Sequence, residues 1–490
     1  MDLSSFELVL LRAAAPCIGL VALVLTSCSA PPDIGVGRLH VCRTDEGPRG
    51  DYCGSLTVPE DRSASNGRTI DLKIVVARAL RRDPKPDPVF VLSGGPLGGA
   101  ATTAGSLAPM FRLLQSDRDI VFVDQRGTGA SHALDCEPPE RTLAALVDVP
   151  VDRFRKCLKR VDADPRFYST VPAMDDIDEV RRHLGYSEIN LWGVSYGTRA
   201  ALVYLSRHEA AVRSIVLDSA APIDTPLPLH TARDGQRALD RLVADCASDA
   251  ACSRRFPDLG ATVSAVLDRA GNRPTVRMTH PRTGEAIEAT ISRELVAQTI
   301  FYALYSSTTA SLLPLWLSDA ERGDFQGLLS LRLLDGPAAA GTGEGAFLSV
   351  FCSEDAPRFT REDAIRQASG TFLGTAQLDT LFKPCEFWPR AAVAADFYEP
   401  PKSDKPVLVL SGDLDPVLPP AYGEAVAKSL RNARHLVIPA TGHGTSVAGC
   451  VPKLIEEFVA AADARGLDTS CLDGLHRPPF MTSRTGGVKP

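Results

Sequence analysis

The chain has 490 residues, more than one compact core usually holds, so a main domain with a large insertion or a second domain is expected. Its composition is that of an ordinary globular protein, 44% hydrophobic and 23% charged. A net charge of −7 with no long basic run argues against a nucleic-acid partner.

The N-terminus reads as an export signal. Arg12 precedes an almost wholly apolar run, Ala13 to Leu25, too short to span a bilayer but suited to a signal-peptide core. It ends in Leu25-Thr26-Ser27-Cys28, which resembles a bacterial lipobox and implies a lipid anchor at Cys28. Asp2 and Glu7 depart from the usual basic start; the alternative is cleavage nearby without lipid. Of twelve cysteines, Cys17 lies in the signal core and Cys28 is the lipid site. The remaining Cys42, Cys53, Cys136, Cys157, Cys246, Cys252, Cys352, Cys385, Cys450 and Cys471 fall as near-neighbour pairs. In an exported chain they are expected to form disulfides in that sequential order. No C-x-x-C pair or His-Cys cluster has zinc spacing, and no metal or cofactor is expected.

Beyond a linker from Pro31 to Gly37, strands are expected at Leu56–Pro59 and Ile70–Ala77, with a turn at Ser65-Asn66-Gly67. The apolar run Pro88–Leu92 leads into Ser93-Gly94-Gly95-Pro96-Leu97-Gly98-Gly99. A Gly-rich loop there can turn a backbone N–H toward a substrate oxygen; Pro96 has no N–H and cannot donate, and Gly95 is the preferred donor. A plain turn is the alternative. Ile120–Asp124 is the next strand, and Asp124 and Arg126 in the following Gln125-Arg126-Gly127-Thr128-Gly129 brace a loop. That loop lacks the Walker lysine of a phosphate cradle. Asp175–Leu184 has helical apolar spacing, and Ile189–Gly193 and Val212–Leu217 read as buried strands.

Gly193-Val194-Ser195-Tyr196-Gly197 is a G-x-S-x-G pentapeptide between a strand and a helix. In that setting the serine occupies a strained turn, with its Oγ clear of the sheet and the next N–H, that of Tyr196, aimed at a developing oxyanion. From Pro222 to about Pro400 the pattern changes. An amphipathic helix is expected over Thr231–Ala247, a hairpin over Thr275–His280 and Ala286–Ile291, a helix capped by Ser292, and more helix over Leu312–Ala320. Pro337–Gly345 reads as an Ala/Gly loop, Pro406–Leu410 and Ala433–Ile438 resume the buried-strand pattern, and the tail after Leu475 reads as loose.

A serine nucleophile needs a histidine base and a carboxylate to orient it, here in the chain order Ser, acid, His. Asp415, in Ser411-Gly412-Asp413-Leu414-Asp415-Pro416, is preferred over Asp413 by its G-x-x-D spacing, and His443 lies in Thr441-Gly442-His443-Gly444. His435 reads as a packing residue at the start of a strand.

With these motifs on the page, the chain resembles α/β-hydrolase serine peptidases of the proline iminopeptidase and tripeptidyl aminopeptidase type. The resemblance rests on Gly94-Gly95-Pro96, Asp124-Gln125-Arg126-Gly127-Thr128-Gly129, Gly193 to Thr198, Gly412 to Pro416 and Gly442-His443-Gly444. The region from about residue 380 to Cys471 is similar to the C-terminal part of tripeptidyl-aminopeptidase-like proteins. Leu97 stands where that family usually has another glycine.

The resemblance implies an α/β-hydrolase fold, with a mostly parallel central sheet flanked by helices and an inserted, mainly helical lid. It also implies cleavage near a peptide's free N-terminus, with lid carboxylates binding the amine. Glu354, then Asp355, are the candidates; the alternative is that both are solvated lid charges. The expected layout is a signal peptide over 1–27, linker 28–37, core 38–221, lid 222–400, core 401–476 and a flexible tail 477–490. The expected activity is that of an exported serine hydrolase acting on a short peptide substrate. A carboxylesterase or amidase with the same triad and a non-catalytic surface lipoprotein are the rival readings.

Overall fold

The structure, a computed structural model, describes residues 39–43, 47, 50–95, 98–136, 143, 150–334, 343–375 and 378–485. The expected signal peptide, linker and lipid site at Cys28 lie outside the described residues, as do Pro96, Leu97 and most of the Ala/Gly loop.

The β-branched and aromatic runs form the strands. In chain order these are β1 (His40–Val41), β2 (Tyr52–Pro59), β3 (Thr69–Ala77), β4 (Val89–Leu92), β5 (Ile120–Val123), β6 (Ile189–Val194) and β7 (Val212–Asp218). They are followed by β8 (Thr275–Thr279), β9 (Ala286–Thr290), β10 (Val407–Gly412) and β11 (Ala433–Ile438). Nine of them make one sheet in the order β1-β2-β3-β5-β4-β6-β7-β10-β11; β8 and β9 pair as a separate hairpin. The edge β1 to β3, and the β3–β5 contact, are antiparallel; every contact from β5 onward is parallel.

The inner parallel strands β4, β5 and β10 are buried on both faces, as their unbroken apolar runs require. Alternate residues feed two layers. Phe90, Leu92, Leu191 and Val409 pack with Ile177 and Leu202 on one side. Val89, Val91, Trp192 and Leu408 pack with Phe458 on the other. Register then aligns the functional ends. Leu92 pairs with Gly193, Val194 with Asp218, and Leu410 with Asp218, so the loops after β4, β6, β7 and β10 leave one edge together. That edge, at the carboxyl ends of parallel strands, is where such sheets build sites.

Between the neighbouring strands β7 and β10 the chain runs through helices and the β8–β9 hairpin, with a hydrophobic cluster of its own around Leu242, Val266, Ile300, Leu313 and Leu328. Ser292 caps its helix through a bond from the Leu295 N–H, as its position predicts.

Three of the boundary differences have a clear physical reason. The helix expected from Asp175 starts at Thr170, because Pro172 in a first turn costs no intrahelical bond. The helix expected over Leu312–Ala320 spans Ser307–Glu321, capped by Ser306, with Pro314 inside it. Gly345, expected in a loop, opens the helix Glu344–Val350, where its N–H donates to the Leu134 carbonyl and a Cβ would strike Leu134.

The tail is the larger correction. Residues 477–485 are not loose: Phe480 is buried in the inserted cluster, Met481 N–H donates to Ser311 O, and Arg477 and Arg484 pair with Asp245 and Asp319. A polar, proline-rich composition hid one aromatic anchor and two cations with acidic partners in the helices.

Ten cysteines form five disulfides in the sequential order expected, Cys42–Cys53, Cys136–Cys157, Cys246–Cys252, Cys352–Cys385 and Cys450–Cys471. This usage belongs to an oxidising compartment and suggests an exported protein. No described helix is long and apolar enough to cross a membrane. Cys352–Cys385 closes the longest loop, 33 residues, so a Cys352→Ala/Cys385→Ala variant should lose about 3 kcal/mol of stability, read as a lowered denaturant midpoint.

Candidate active site

Ser195 occupies the turn between β6 and the helix Tyr196–His208 with φ +56° and ψ −124°, a conformation that a serine adopts only when its surroundings impose it. The flanking glycines allow it. A methyl group at Gly197 would run into the Leu92 carbonyl, and one at Gly193 into the Gly197 carbonyl. Gly94 backs the nucleophile: a Cβ placed there would sit 3.2 Å from Ser195 Cβ and 3.7 Å from its Oγ. Gly95 follows, exposed and at φ +119°. Among the described residues no acceptor meets the N–H of Gly95 or of Tyr196.

His443 and Asp415 meet as expected, with Nδ1 2.8 Å from Asp415 Oδ2. A carboxylate only accepts, so Nδ1 carries the proton and Nε2 is left as the basic nitrogen. Asp415 is fully buried, and its other oxygen accepts from the N–H groups of Val417 and Leu418. Burial alone would raise its pKa; the His443 charge and these hydrogen bonds outweigh burial and hold it below the usual carboxylate range. Burial alone would likewise lower the pKa of His443, and the Asp415 carboxylate raises it above the ordinary 6.5. Asp413 serves the turn instead, accepting from the Thr441 N–H. His435 is in β11, its ring 3.0 Å from Ser411 Oγ.

The inserted segment touches this centre directly. Tyr305 O accepts from the His443 N–H at 2.8 Å, and the Tyr305 ring stands edge-on to the imidazole with centroids 5.1 Å apart. Arg237 donates to the Asp415 carbonyl. Neither residue stands out in the sequence, because each acts through backbone or ring contacts that no motif records.

The reading of both lid carboxylates as solvated charges needs correction. Glu354 and Asp355 lie in a π-helical turn, Phe351–Asp355, 1% and 4% exposed, so neither is a solvated lid charge. Asp355 is committed to Arg199 at 2.9 Å and to the Leu227 N–H at 2.8 Å. Glu354 accepts from the Thr170 N–H and hydroxyl at 2.7 and 2.8 Å, and the same hydroxyl lies 2.8 Å from the Tyr196 hydroxyl. Burial pushes the Glu354 carboxyl up to about 7. Both carboxylates already accept hydrogen bonds from other residues of the protein. Sequence shows the acidic pair but not the threonine and arginine that occupy it.

Asp124 and Arg126 brace the structure as expected. Asp124 accepts from the Thr102 N–H and hydroxyl and the Ala130 N–H. Arg126 is buried against Asp176 and donates to the Glu60 and Phe167 carbonyls.

Residues 87–253 match the family described as alpha/beta hydrolase fold, and residues 370–471 match the TAP-like protein family. The chain has the α/β-hydrolase fold, and its C-terminal region is similar to TAP-like proteins. The hydrolase is similar to serine protease Hip1 of Mycobacterium tuberculosis, 26% identical over 458 residues that cover 84% of this chain and 85% of that protein. It is also similar to tripeptidyl aminopeptidase of Streptomyces lividans, 23% identical over 457 residues covering 86% and 84%. The solved structure of proline iminopeptidase from Mycobacterium smegmatis aligns over 84% of this chain and 99% of its own, at 16% identity and TM-score 0.41.

The pH dependence of the hydrolase follows from His443. A raised pKa keeps the ring protonated, and so unable to act as a base, to a higher pH than a free imidazole. The acid limb of kcat/KM should therefore centre above 6.5. Asp415→Asn should move that limb to lower pH and cut kcat by about 10⁴-fold, measured on any turned-over ester or anilide.

Proposed function

We propose that this chain is an exported serine peptidase that cleaves short peptides near a free N-terminus through an acyl-enzyme. The observation that carries the reading is the Asp415–His443 hydrogen bond at the same sheet edge as the strained Ser195 turn. The similarity to a serine protease and a tripeptidyl aminopeptidase over most of the chain supports a peptide rather than another acyl substrate.

In this reading Ser195 Oγ attacks the scissile carbonyl while His443 Nε2 takes its proton. The N–H groups of Tyr196 and Gly95, which have no acceptor among the described residues, receive the oxyanion. His443 then protonates the leaving amine, and water attacks the acyl-serine with His443 again as base. Asp415 keeps the ring oriented and stabilises its positive charge. The inserted segment, through Tyr305, forms the roof beside His443 and acts as the lid. No cofactor enters these steps.

The deciding measurement is hydrolysis of a panel by the mature protein, with Ser195→Ala as control. The panel holds free-amine aminoacyl and tripeptidyl anilides, their N-acetylated forms and short acyl esters. Turnover of free-amine anilides, abolished by acetylation and by Ser195→Ala, is the expected result. Turnover of esters alone would make the chain an esterase on a peptidase-like frame.

Export and anchoring rest on the apolar run before Cys28 and on the disulfides. Cys28→Ala should move the protein from the membrane fraction to the soluble one on fractionation of the expressing cells; retention with the membrane would refute the lipid anchor.

A further inference from the structure

The strand beside the nucleophile's ends in a carboxylate that the triad does not use. Asp218 closes β7, paired with Val194 of β6, and its carbonyl accepts the Ser195 N–H at 3.0 Å. Its side chain is 1% exposed, and among the described residues no cation pairs with it. Instead it is met by the loop that carries His443. Oδ1 accepts from the Thr445 N–H and hydroxyl at 2.7 and 2.8 Å. Oδ2 accepts from the Ser446 N–H and hydroxyl at 2.8 and 2.6 Å, and also lies 2.9 Å from Thr445 N. The Ser446 hydroxyl in turn accepts from the Trp192 indole N–H of β6 at 2.9 Å. Next door, Ser219 Oγ accepts from the Gly444 N–H at 3.0 Å.

We propose that Asp218 is a positioning residue of the catalytic centre, which holds the nucleophile by its carbonyl and the His443 loop by its carboxylate, and so sets the imidazole against Ser195. Everything that touches the carboxylate is a donor, so both oxygens must accept. Only an ionised carboxyl does that; an amide would turn its own N–H groups toward N–H and O–H donors. The residue is therefore required in its charged form, and that charge also favours the imidazolium formed during catalysis. The groups facing His443 are Asp415 at Nδ1, the Tyr305 carbonyl and ring, and Asp218; the last of these contributes to the raised His443 pKa.

The inference rests on the serine hydrolase reading, and its test separates the two. The whole protein is followed by fluorophosphonate labelling and by hydrolysis of a short acyl p-nitrophenyl ester across the acid limb. If the native protein is neither labelled nor active, the hydrolase reading itself fails and this inference with it. With the native protein active, Asp218→Asn should lower kcat by about 10²-fold with KM little changed, since a small misplacement of a catalytic group costs on that order. It should also move the acid limb to lower pH, an effect that lost packing alone would not produce. A folded Asp218→Asn protein, judged by near-ultraviolet circular dichroism, with native kcat and an unmoved limb would overturn the proposal. Should that variant not fold, Thr445→Val/Ser446→Ala keeps the charge and removes two hydroxyl donors. Its kcat should fall while the limb stays in place, and an unchanged kcat would overturn the proposal.

Discussion

Arg199 lies one helical turn beyond Ser195, 2% exposed, and its charge is what locks the two parts of the chain together. Its guanidinium pairs with Asp355 of the inserted segment and donates to the carbonyls of Thr225 and Pro222, at the point where the chain leaves the core. Burial works against that charge, and the nearby carboxylates of Asp355 and Glu354 outweigh it, raising the pKa of the guanidinium. A buried pair of this kind adds little net stability over an apolar substitute, but losing one member leaves an unpaired charge and costs about 3–5 kcal/mol. Its use here is geometric. The inserted segment cannot shift against the nucleophile helix without breaking the pair.

The same economy of space governs the nucleophile. Holding Ser195 at positive φ costs about 1–3 kcal/mol, and the turn persists because every neighbour is fixed. Thr198 Oγ1 donates to the Ser195 carbonyl at 2.6 Å and accepts from the Ala221 N–H at 2.8 Å, which ties the turn to the exit of β7. Behind it, the backbone of β4 passes so near the helix start that only glycine fits at 197. The strain at the serine is thus balanced by sheet pairing on one side and helix packing on the other.

Much of this was legible in the sequence because it depends on local rules. Strand positions followed from apolar runs such as Val89–Leu92 and Val407–Leu410, and the strand-turn-helix setting of Ser195 from its glycines. The choice of Asp415 over Asp413 followed from spacing within one loop, and the structure puts Asp415 against His443. What could not be read depends on partners distant in the chain. Glu354 and Asp355 looked like lid charges because nothing near them announces Thr170 or Arg199. The tail looked loose because Phe480 is one apolar residue among polar ones, and its pocket is built by helices more than a hundred residues earlier. Asp218 sits at a strand's carboxyl end, the same position rule that singled out Asp415, yet that rule gives no hint of the loop it would meet.

The disulfides have a consequence for how the molecule can be assembled. Each described cysteine is joined to the next one along the chain, with separations from 6 to 33 residues. For a polypeptide that emerges N-terminus first, the correct partner is then always the first one to arrive. The native cross-links can close one after another in order of appearance, without a period in which wrong bonds must be undone. By contrast, β7 and β10 become neighbours only after the whole inserted segment has been made. The covalent framework can thus be complete through Cys385 while two of the three triad residues, Asp415 and His443, have yet to be synthesised.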